Sequence, residues 1–486
     1  MTKPDKMSTM LDPVLIPAPS VTSVTAYRAG VGGRALARAQ ELGPGGTIQE
    51  LALSGLRGRG GAGFPTARKW QSVLDSVPGP ASGPGGSGEA ASEGNACYVV
   101  CNGAEGEPGT FKDRTILLAD PYQVIEGVAV ASFVLGARQA FIALKASFRP
   151  QLDRLERALT EMEAAGLAGE VPIAIVAGPE EYLFGEETGL LQVIEGEAPL
   201  PRLLPPYLHG LFATAPESGW SAGPRSAGRP PTTFSASNPT LVNNVETLAT
   251  VTHVLARGPE WHRSHGTASS PGRVVCTVVG DVVRPGVAEV ELGTPLRTVI
   301  DDVGGGARAG RQIKAVLSGV SNPVLRGDQL DTPVSYEGME AAGSGLGSCG
   351  FVVYDDTADM VEVASAVSRF LHVESCGQCP ACKLGTAAIT DALDALTVGT
   401  AAGDTVERIG ARLRSVTDGN RCYLPVQEQR VIASLLRAFP EDFVAAGEGV
   451  PVRLRGLGAA KLVDVSDGTA TLDARQARKR PDWTYE

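Results

Sequence analysis

The sequence predicts an α/β sheet covered by helices, then a small β-rich domain, then a small helical bundle, and three observations predict it. Short apolar runs alternate with helix-like stretches through the first half of the chain. From Gly272 to about Leu330 the texture changes to β-branched runs broken by turns. Beyond Ala358 apolar residues recur at helical spacings. The expected boundaries are 31–255 for the α/β domain, 270–335 for the β-rich domain and 355–445 for the bundle. A flexible segment is expected at 1–30, and the tail at 446–486 is polar with scattered apolar positions that assign it no structure.

Residues 1–27 mix Pro, Ser, Thr and Met without periodicity, whereas GRALARAQEL (33–42) is rich in helix formers, so order is expected to begin near residue 30. The run PGPASGPGGSGEAASEGN (78–95) has flexible-linker composition and reads as a surface insertion within the first domain. YVVCN (98–102), AFIALK (140–145) and VPIAIVAG (171–178) read as buried strands, separated by helices around 121–135 and 151–165. In the second domain, RVVCTVVGDVVRPGVAEVELGTPLRTVID is broken at its RPG and GT turns before one helix-sized segment. In the third, apolar residues fall at 360, 363, 367, 370 and 371, then 384, 388, 389, 393 and 396, then 406, 409, 413 and 416, and finally 431, 432, 435, 436 and 439.

The 486 residues carry 43 Lys+Arg against 54 Asp+Glu, a formal charge of −11, with 43% hydrophobic residues. That suits two or three globular domains and argues against nucleic acid, which is normally met by basic patches. The longest apolar stretch, Val124 to Ala137, is interrupted by Glu126 and falls short of the ~20 residues that cross a bilayer. No basic segment followed by an apolar core opens the chain, so a cytoplasmic location is expected, with the cysteines as reduced thiols or ligands. The 60 glycines and 34 prolines exceed ordinary usage, which points to abundant loops and close-approach turns.

The cysteines carry the strongest chemical signal. Cys376, Cys379 and Cys382 form CxxCxxC in ESCGQCPACKLG, and Cys422 follows in NRCYLP. Three thiolates at i+3 spacings converge on one cubane if a fourth arrives from elsewhere, and Cys422, between two expected helices, can supply it for a [4Fe–4S] cluster. Structural zinc is the rival, although it prefers two separated CxxC or Cys/His pairs. Disulfides do not suit the expected compartment. Cys97, Cys101, Cys276 and Cys349 read as small buried hydrophobes in strands.

A second signal is GLRGRGGAGFPTARKW (55–70), with glycine at five of nine positions. Such a run lets backbone N–H groups approach phosphates and flat rings, with Lys69 as a point charge. It is neither GxGxxG nor GxxxxGK[ST], and its plain alternative is an ordinary Gly-rich loop. In CNGAEGEPGTFKDR (101–114), Glu105 and Glu107 flank Gly106 after an expected strand, placed to accept ribose hydroxyls or else forming a solvated acidic turn. EEYLFGEETGLL (180–191) and NPTLVNNVETLA (238–249) complete the set, the amides of Asn243 and Asn244 suiting a flavin edge. The histidines at 209, 253, 262, 265 and 372 suggest no triad, and HRSH (262–265) reads as a solvated loop.

In this order, and ending in CxxCxxC with a remote Cys, these segments resemble the flavin-bearing NADH-oxidising component of bacterial complex I, its 51 kDa or F-type subunit. They resemble its relatives in soluble NAD-linked hydrogenases and formate dehydrogenases too, the likeness running from about Gly32 to Phe443. The resemblance implies a modified Rossmann-like domain binding FMN and NADH, a ubiquitin-like β-grasp (soluble-ligand-binding) domain and a four-helix [4Fe–4S] domain. It implies that Gly58, Arg59, Gly60, Lys69, Asn102, Glu105, Gly185, Glu186, Asn243, Asn244 and Thr247 surround the flavin, with Gly61 and Gly63 in the same cofactor-binding loop. Phe64, Glu107, Tyr182 and Glu187 would face the nicotinamide nucleotide. A thioredoxin-like [2Fe–2S] subunit or a ferredoxin is the implied partner, within a larger redox complex that could hold the chain peripherally on the inner face of a membrane.

Departures from the family pattern fall on the nucleotide side. The family has an Asn-Ala-Asp-Glu run where this chain reads Asn102-Gly103-Ala104-Glu105, so one flavin-facing carboxylate is missing. PRLLPPYL replaces PRLKPPFP, which puts Leu204 at a nucleotide-holding lysine and Tyr207 at a stacking Phe. Ser72 stands at another stacking Phe, Phe184 replaces the customary Cys before GEET, and Cys349 stands near a usual Gly or Ala. The favoured reading is an electron-entry flavoprotein that passes hydride from NADH to FMN and then single electrons to the cluster and a partner. A flavin/Fe–S relay to or from a ferredoxin or membrane reductase, with altered NADH specificity, and a non-catalytic metal-binding scaffold stay open beside it. Colour decides the last, since a brown, yellow-tinged protein excludes a scaffold.

Overall fold

The structure is a computed structural model that describes residues 12–77, 96–214, 236–456 and 458–485. The 78–95 insertion read from the sequence lies outside the described residues. The elements run α1 (Val24–Ala29), α2 (Arg34–Ser54), α3 (Thr66–Ser76), β1 (Tyr98–Gly103), α4 (Lys112–Ala119), α5 (Pro121–Leu135), β2 (Gln139–Lys145), α6 (Arg149–Ala164), β3 (Ile173–Gly178), α7 (Glu187–Ile194), β4 (Thr240–Asn244), α8 (Val245–Arg257) and α9 (Pro259–Arg263). They continue with β5 (Arg273–Gly280), β6 (Gly286–Glu291), α10 (Leu296–Gly304), β7 (Ile313–Ser318), β8 (Leu325–Arg326), α11 (Tyr336–Ala341), β9 (Gly350–Asp355), α12 (Met360–Glu374), α13 (Pro380–Thr397), α14 (Thr405–Leu413), α15 (Leu424–Ala438), α16 (Pro440–Gly447), β10 (Leu462–Ser466) and β11 (Thr469–Leu472). The chain forms two compact units, one from residues 21–105 and 120–262, the other from the described residues of 1–20 with 106–119 and 263–486.

The first unit is a parallel sheet in the order β3-β2-β1-β4, its strands where the apolar runs place them. Helix α5 packs deep beside it. Asp120 caps its start by accepting from the Tyr122 and Gln123 backbone N–H groups, Pro121 presets the first turn, and Gly136 ends it in the left-handed region. Glu126, which interrupts the apolar run, has a structural purpose. Its fully buried carboxylate accepts from Tyr27 Oη at 2.5 Å and from the backbone N–H groups of Gly33, Ala35 and Leu36 at 2.8, 2.8 and 3.0 Å. It thereby satisfies the open N-terminus of α2. This corrects the expectation that 1–30 is flexible throughout, because Tyr27 is buried on α1 and held to α5. Replacing Glu126 by Ala should destabilise the protein by about 3 kcal/mol or more, since several buried donors lose their acceptor at once; the shift in the urea midpoint measures it.

The second unit holds a mixed sheet in the order β6-β5-β9-β7-β8, with β5 and β9 parallel and the other pairs antiparallel. The strip 106–119 sits here, although the sequence reading places it inside 31–255. Phe111 N–H donates to Thr277 Oγ1 at 3.0 Å, and Arg114 Nη1 donates to Leu462 O at 2.6 Å. Helices α12 to α16 carry the apolar faces read from the sequence, with one exception. Leu384 is 68% exposed, because Cys382, Gly385, Thr386 and Ile389 take the inner face of α13. The described residues of the tail are anchored as well. Lys479 and Glu374 are both fully buried and paired at 2.8 Å, with Gln476 Nε2 donating to the same carboxylate at 3.2 Å.

Candidate functional site

In the first unit the chain steps from β1 to β2 and β3 on one side and to β4 on the other. The ends of β1 and β4 therefore flank the point where strand order reverses, the usual ligand crevice of an open parallel sheet. Register pairs Cys101 with Asn243 and Asn102 with Asn244 across that point. Asn244 Oδ1 accepts from the Glu246 N–H at 3.0 Å, capping α8, and Trp70 Nε1 donates to Asn243 Oδ1 at 2.7 Å. Trp70, fully buried on α3, is a positioning residue that the sequence reading passed over, although the KW pair of its motif carries it.

The Gly-rich loop is closed on itself and pinned to the first turn of α8, beside the end of β4. Gly58 N–H donates to Phe64 O at 2.8 Å, Arg57 Nε donates to Gly63 O at 2.7 Å, and Arg59 N–H donates to Thr247 Oγ1 at 2.9 Å. Gly61 and Gly63 adopt φ of 117° and 62°, which L side chains rarely adopt. A Cβ on Gly60 would lie 3.3 Å from Asn244 Cβ. Asn102 Nδ2 donates to Gly185 O at 2.8 Å, and buried Glu105 follows the strand. Glu186 caps α7, accepting from the Thr188 hydroxyl at 2.6 Å and the Thr188 and Gly189 N–H groups at 2.9 and 2.8 Å. Burial raises its carboxyl pKa despite those donors. Lys69 Nζ pairs with Glu187, joining an expected flavin residue to an expected nucleotide residue. Phe64 is 47% exposed, and Tyr182 opens a one-turn helix over Tyr182–Gly185. A Gly-rich loop with two left-handed glycines, the asparagines at the ends of β1 and β4, and Lys69 fit a flat ring with a polar edge and a phosphate.

Two departures are one packing solution. Ala104 and Phe184 are buried in the same apolar cluster with Tyr98, Phe141 and Leu190, so a carboxylate at 104 would be desolvated there. Gly178 makes the room, since a Cβ on it would sit 2.2 Å from Phe184 Cζ. Ser72 Oγ donates to Arg68 O at 2.9 Å on an exposed face, Leu204 is half-buried and Tyr207 is exposed.

In the second unit, Glu107 is held by the Ser321 hydroxyl, the Val320 N–H at 3.1 Å and the Ser348 hydroxyl at 3.0 Å. Cys379 is the N-cap residue of α13, Cys382 lies in its first turn and Cys376 in the loop before it. The Ser375 hydroxyl lies 3.3 Å from Cys382 Sγ, and Gln378 Nε2 donates to Cys376 Sγ at 3.6 Å. Burial first, then the nearby Cys379 and Cys376 thiols and Glu428, push the Cys382 thiol up to about 11 against the Ser375 hydroxyl. Cys422 is half-buried in the turn between α14 and α15, where Asn420 Nδ2 donates to its carbonyl at 2.8 Å. Among the described residues no three His, Cys, Asp or Glu side chains close around a single-ion position. Cysteine thiolates are the usual ligands of iron–sulfur clusters; here three of them lie together at the start of α13, and the fourth, Cys422, lies in a separate turn.

The remaining candidates sort simply. Cys97, Cys101, Cys276 and Cys349 are all buried, but Cys97 and Cys349 lie beside strands rather than within them. The HRSH pair is not a solvated loop, because His262 is buried and His265 Nδ1 lies 2.7 Å from Glu291 Oε1. Among the described residues no single helix is long and apolar enough to cross a membrane.

Residues 51–253 match the Nuo51 FMN-binding domain, 275–324 the SLBB domain, and 362–446 the NADH-ubiquinone oxidoreductase-F iron-sulfur binding region. An F-type subunit of the NADH-quinone oxidoreductase of Rhizobium meliloti (strain 1021) is 34% identical over 451 residues, covering 90% of this chain and 98% of the relative. HndC, a subunit of the NADP-reducing hydrogenase of Solidesulfovibrio fructosivorans, is 32% identical over 432 residues, covering 87% of this chain and 80% of the relative. Among solved structures, an NAD+-reducing [NiFe]-hydrogenase in the H2-reduced state aligns with a TM-score of 0.72 at 28% identity, covering 88% of this chain and 66% of that one.

Proposed function

The chain belongs to the family of F-type subunits of NADH-quinone oxidoreductases, and from that premise we propose that it is the electron-input flavoprotein of a multi-subunit redox complex. A bound FMN turns the hydride of NADH into single electrons for a [4Fe–4S] cluster, chemistry that belongs to the cofactors. The protein's share is binding and orientation. The loop from Gly58 to Gly63 with Asn102, Glu105, Gly185, Glu186, Asn243, Asn244 and Thr247 holds the flavin, and Lys69 meets its phosphate. Phe64, Tyr182 and Glu187 hold the nucleotide; Glu107, expected beside them, instead gives its carboxylate to Ser321, Val320 and Ser348 within the second unit. Cys376, Cys379, Cys382 and Cys422 hold the cluster within the helical domain of α12 to α16, which has five helices where four are expected; it follows a modified Rossmann-like domain, from which the strip 106–119 departs to the second unit, and a β-grasp domain over 270–335. A thioredoxin-like [2Fe–2S] subunit or ferredoxin receives the electrons on the cytoplasmic side, where the complex can attach the chain to a membrane surface.

The observation that carries this reading is the pinning of the Gly-rich loop to the first turn of α8 through Thr247 and to the end of β4, with Gly60 against Asn244. Anaerobic purification tests it, with one FMN, four irons and four labile sulfides expected per chain. Stoichiometric zinc without sulfide would overturn the cluster assignment.

The positions of Leu204 and Ser72 favour a second reading, a relay with weakened NADH binding, because neither supplies the cation or ring usual there. Leu204→Lys and Ser72→Phe should each lower the NADH KM by about fivefold, corresponding to roughly 1 kcal/mol. Phe64→Ala should raise KM with a smaller effect on kcat, the sign of lost uniform binding.

A further inference from the structure

Glu428 lies on α15 with no surface exposed, on a different compact unit from the Gly-rich loop. Its Oε1 accepts from Ser368 Oγ of α12 at 2.6 Å, and that hydroxyl meets Thr390 Oγ1 of α13 at 2.8 Å. Among the described residues nothing hydrogen-bonds to its Oε2. A polar seam between α12 and α13 continues toward the cysteines. Thr390, Thr386 and Cys382 are one helical turn apart on the buried face of α13, and Thr386 Oγ1 donates to Cys382 O at 2.9 Å. His372, one turn beyond Ser368, places Nδ1 3.2 Å from Thr386 Oγ1.

The helices around α15 bring it no compensating charge. From α14, Thr405, Ile409 and Leu413 are buried, and from α16, Phe443 and Ala446. On α12, Glu362 is held by the Arg455 backbone N–H and Glu374 by Lys479, and the titratable groups of the seam are His372 and Cys382. Burial pushes the Glu428 carboxyl up to about 8, with the Ser368 hydroxyl pulling it down, and its charge is felt at the Cys382 thiol.

We propose that Glu428 takes up a proton when the cluster held by Cys376, Cys379, Cys382 and Cys422 takes up an electron, making the cluster's reduction potential depend on pH. This rests on the cluster assignment above. One electron enters from the flavin and one proton from solvent, and both leave on reoxidation. An added negative charge at the Cys382 end of the seam favours the neutral acid, so the reduced state holds the proton more tightly than the oxidised state. At low pH both states are protonated and the potential is constant. Above the oxidised-state pKa only the reduced state keeps the proton, and the potential falls as pH rises. Its limiting slope is a tenfold change in the one-electron equilibrium per pH unit, about 59 mV.

The test is an EPR-monitored redox titration of the holoprotein from about pH 6.5 to 10, with iron and sulfide counted on the same sample. Wild type should be flat at low pH and should fall above a break at or beyond about pH 8. Glu428→Gln should stay flat throughout, at the wild type's low-pH potential. Ser368→Ala, which removes the hydrogen bond that lowers the Glu428 pKa, should move the break to higher pH. A wild type flat across the range overturns the proposal, as does a slope retained in Glu428→Gln. If Glu428→Gln does not hold a cluster, a break left unmoved by Ser368→Ala overturns it instead. Wild-type protein without iron and sulfide overturns the cluster assignment, a separate outcome.

Discussion

Protein carrying Cys379→Ser is expected to lose its [4Fe–4S] absorbance, with iron and labile sulfide falling from four per chain to near zero, while FMN content stays close to wild type. Cys379 is the N-cap residue of α13 and is nearly buried. Serine is close in size and a better N-cap than cysteine, so α13 should start where it does now. The loss would therefore report ligation rather than unfolding. The flavin should survive because the Gly-rich loop and the β1 and β4 ends belong to the first compact unit, whereas all four cysteines belong to the second. Iron and sulfide assays with flavin release on denaturation check it. A full cluster in folded Cys379→Ser would remove Cys379 from the ligand set.

Gly60→Val is expected to have the opposite selectivity, with flavin occupancy falling by about tenfold or more and iron and sulfide unchanged. A Cβ at residue 60 would already sit 3.3 Å from Asn244 Cβ, and the valine methyl groups extend further. Asn244 cannot easily yield, because it caps α8 and its register partner Asn102 is bonded to Gly185. Overpacking of this kind costs about 1–3 kcal/mol, and each 1.4 kcal/mol is about tenfold in occupancy. Circular dichroism separates this from unfolding. Normal flavin occupancy in folded Gly60→Val protein would move the flavin away from this loop.

Apolar runs and helical spacing made β1 to β3, α5 and α6 and most of the C-terminal helices legible, because burial leaves a periodic trace. The Gly-rich and Cys motifs were legible for another reason, since close backbone approach and thiolate ligation each restrict a position to one residue type. What stayed hidden rests on pairing across the chain. Glu126 looked like an interruption of an apolar run, yet it holds the start of α2, its partner Leu36 lying 90 residues earlier in sequence. The tail gave no readable pattern because its anchor is a buried Lys479–Glu374 pair, and two charged residues leave no apolar signature. Leu384 was assigned to the core by hydrophobicity, whereas the inner face of α13 is taken by the small and polar residues that form the seam leading from Cys382. The strip 106–119 follows β1 without a composition break, so only its bonds to Thr277 and Leu462 reveal the unit it joins.

On the proposed function, electrons enter from NADH through a flavin and reach the cluster held by these cysteines. An anaerobic titration of the purified protein with NADH, followed by visible absorbance and EPR, tests it most directly. Bleaching of the flavin absorbance is expected, accompanied by the EPR signal of a reduced [4Fe–4S] cluster that is absent from Cys379→Ser. A flavin that stays oxidised in millimolar NADH, and still does so after Leu204→Lys and Ser72→Phe are combined, would contradict it.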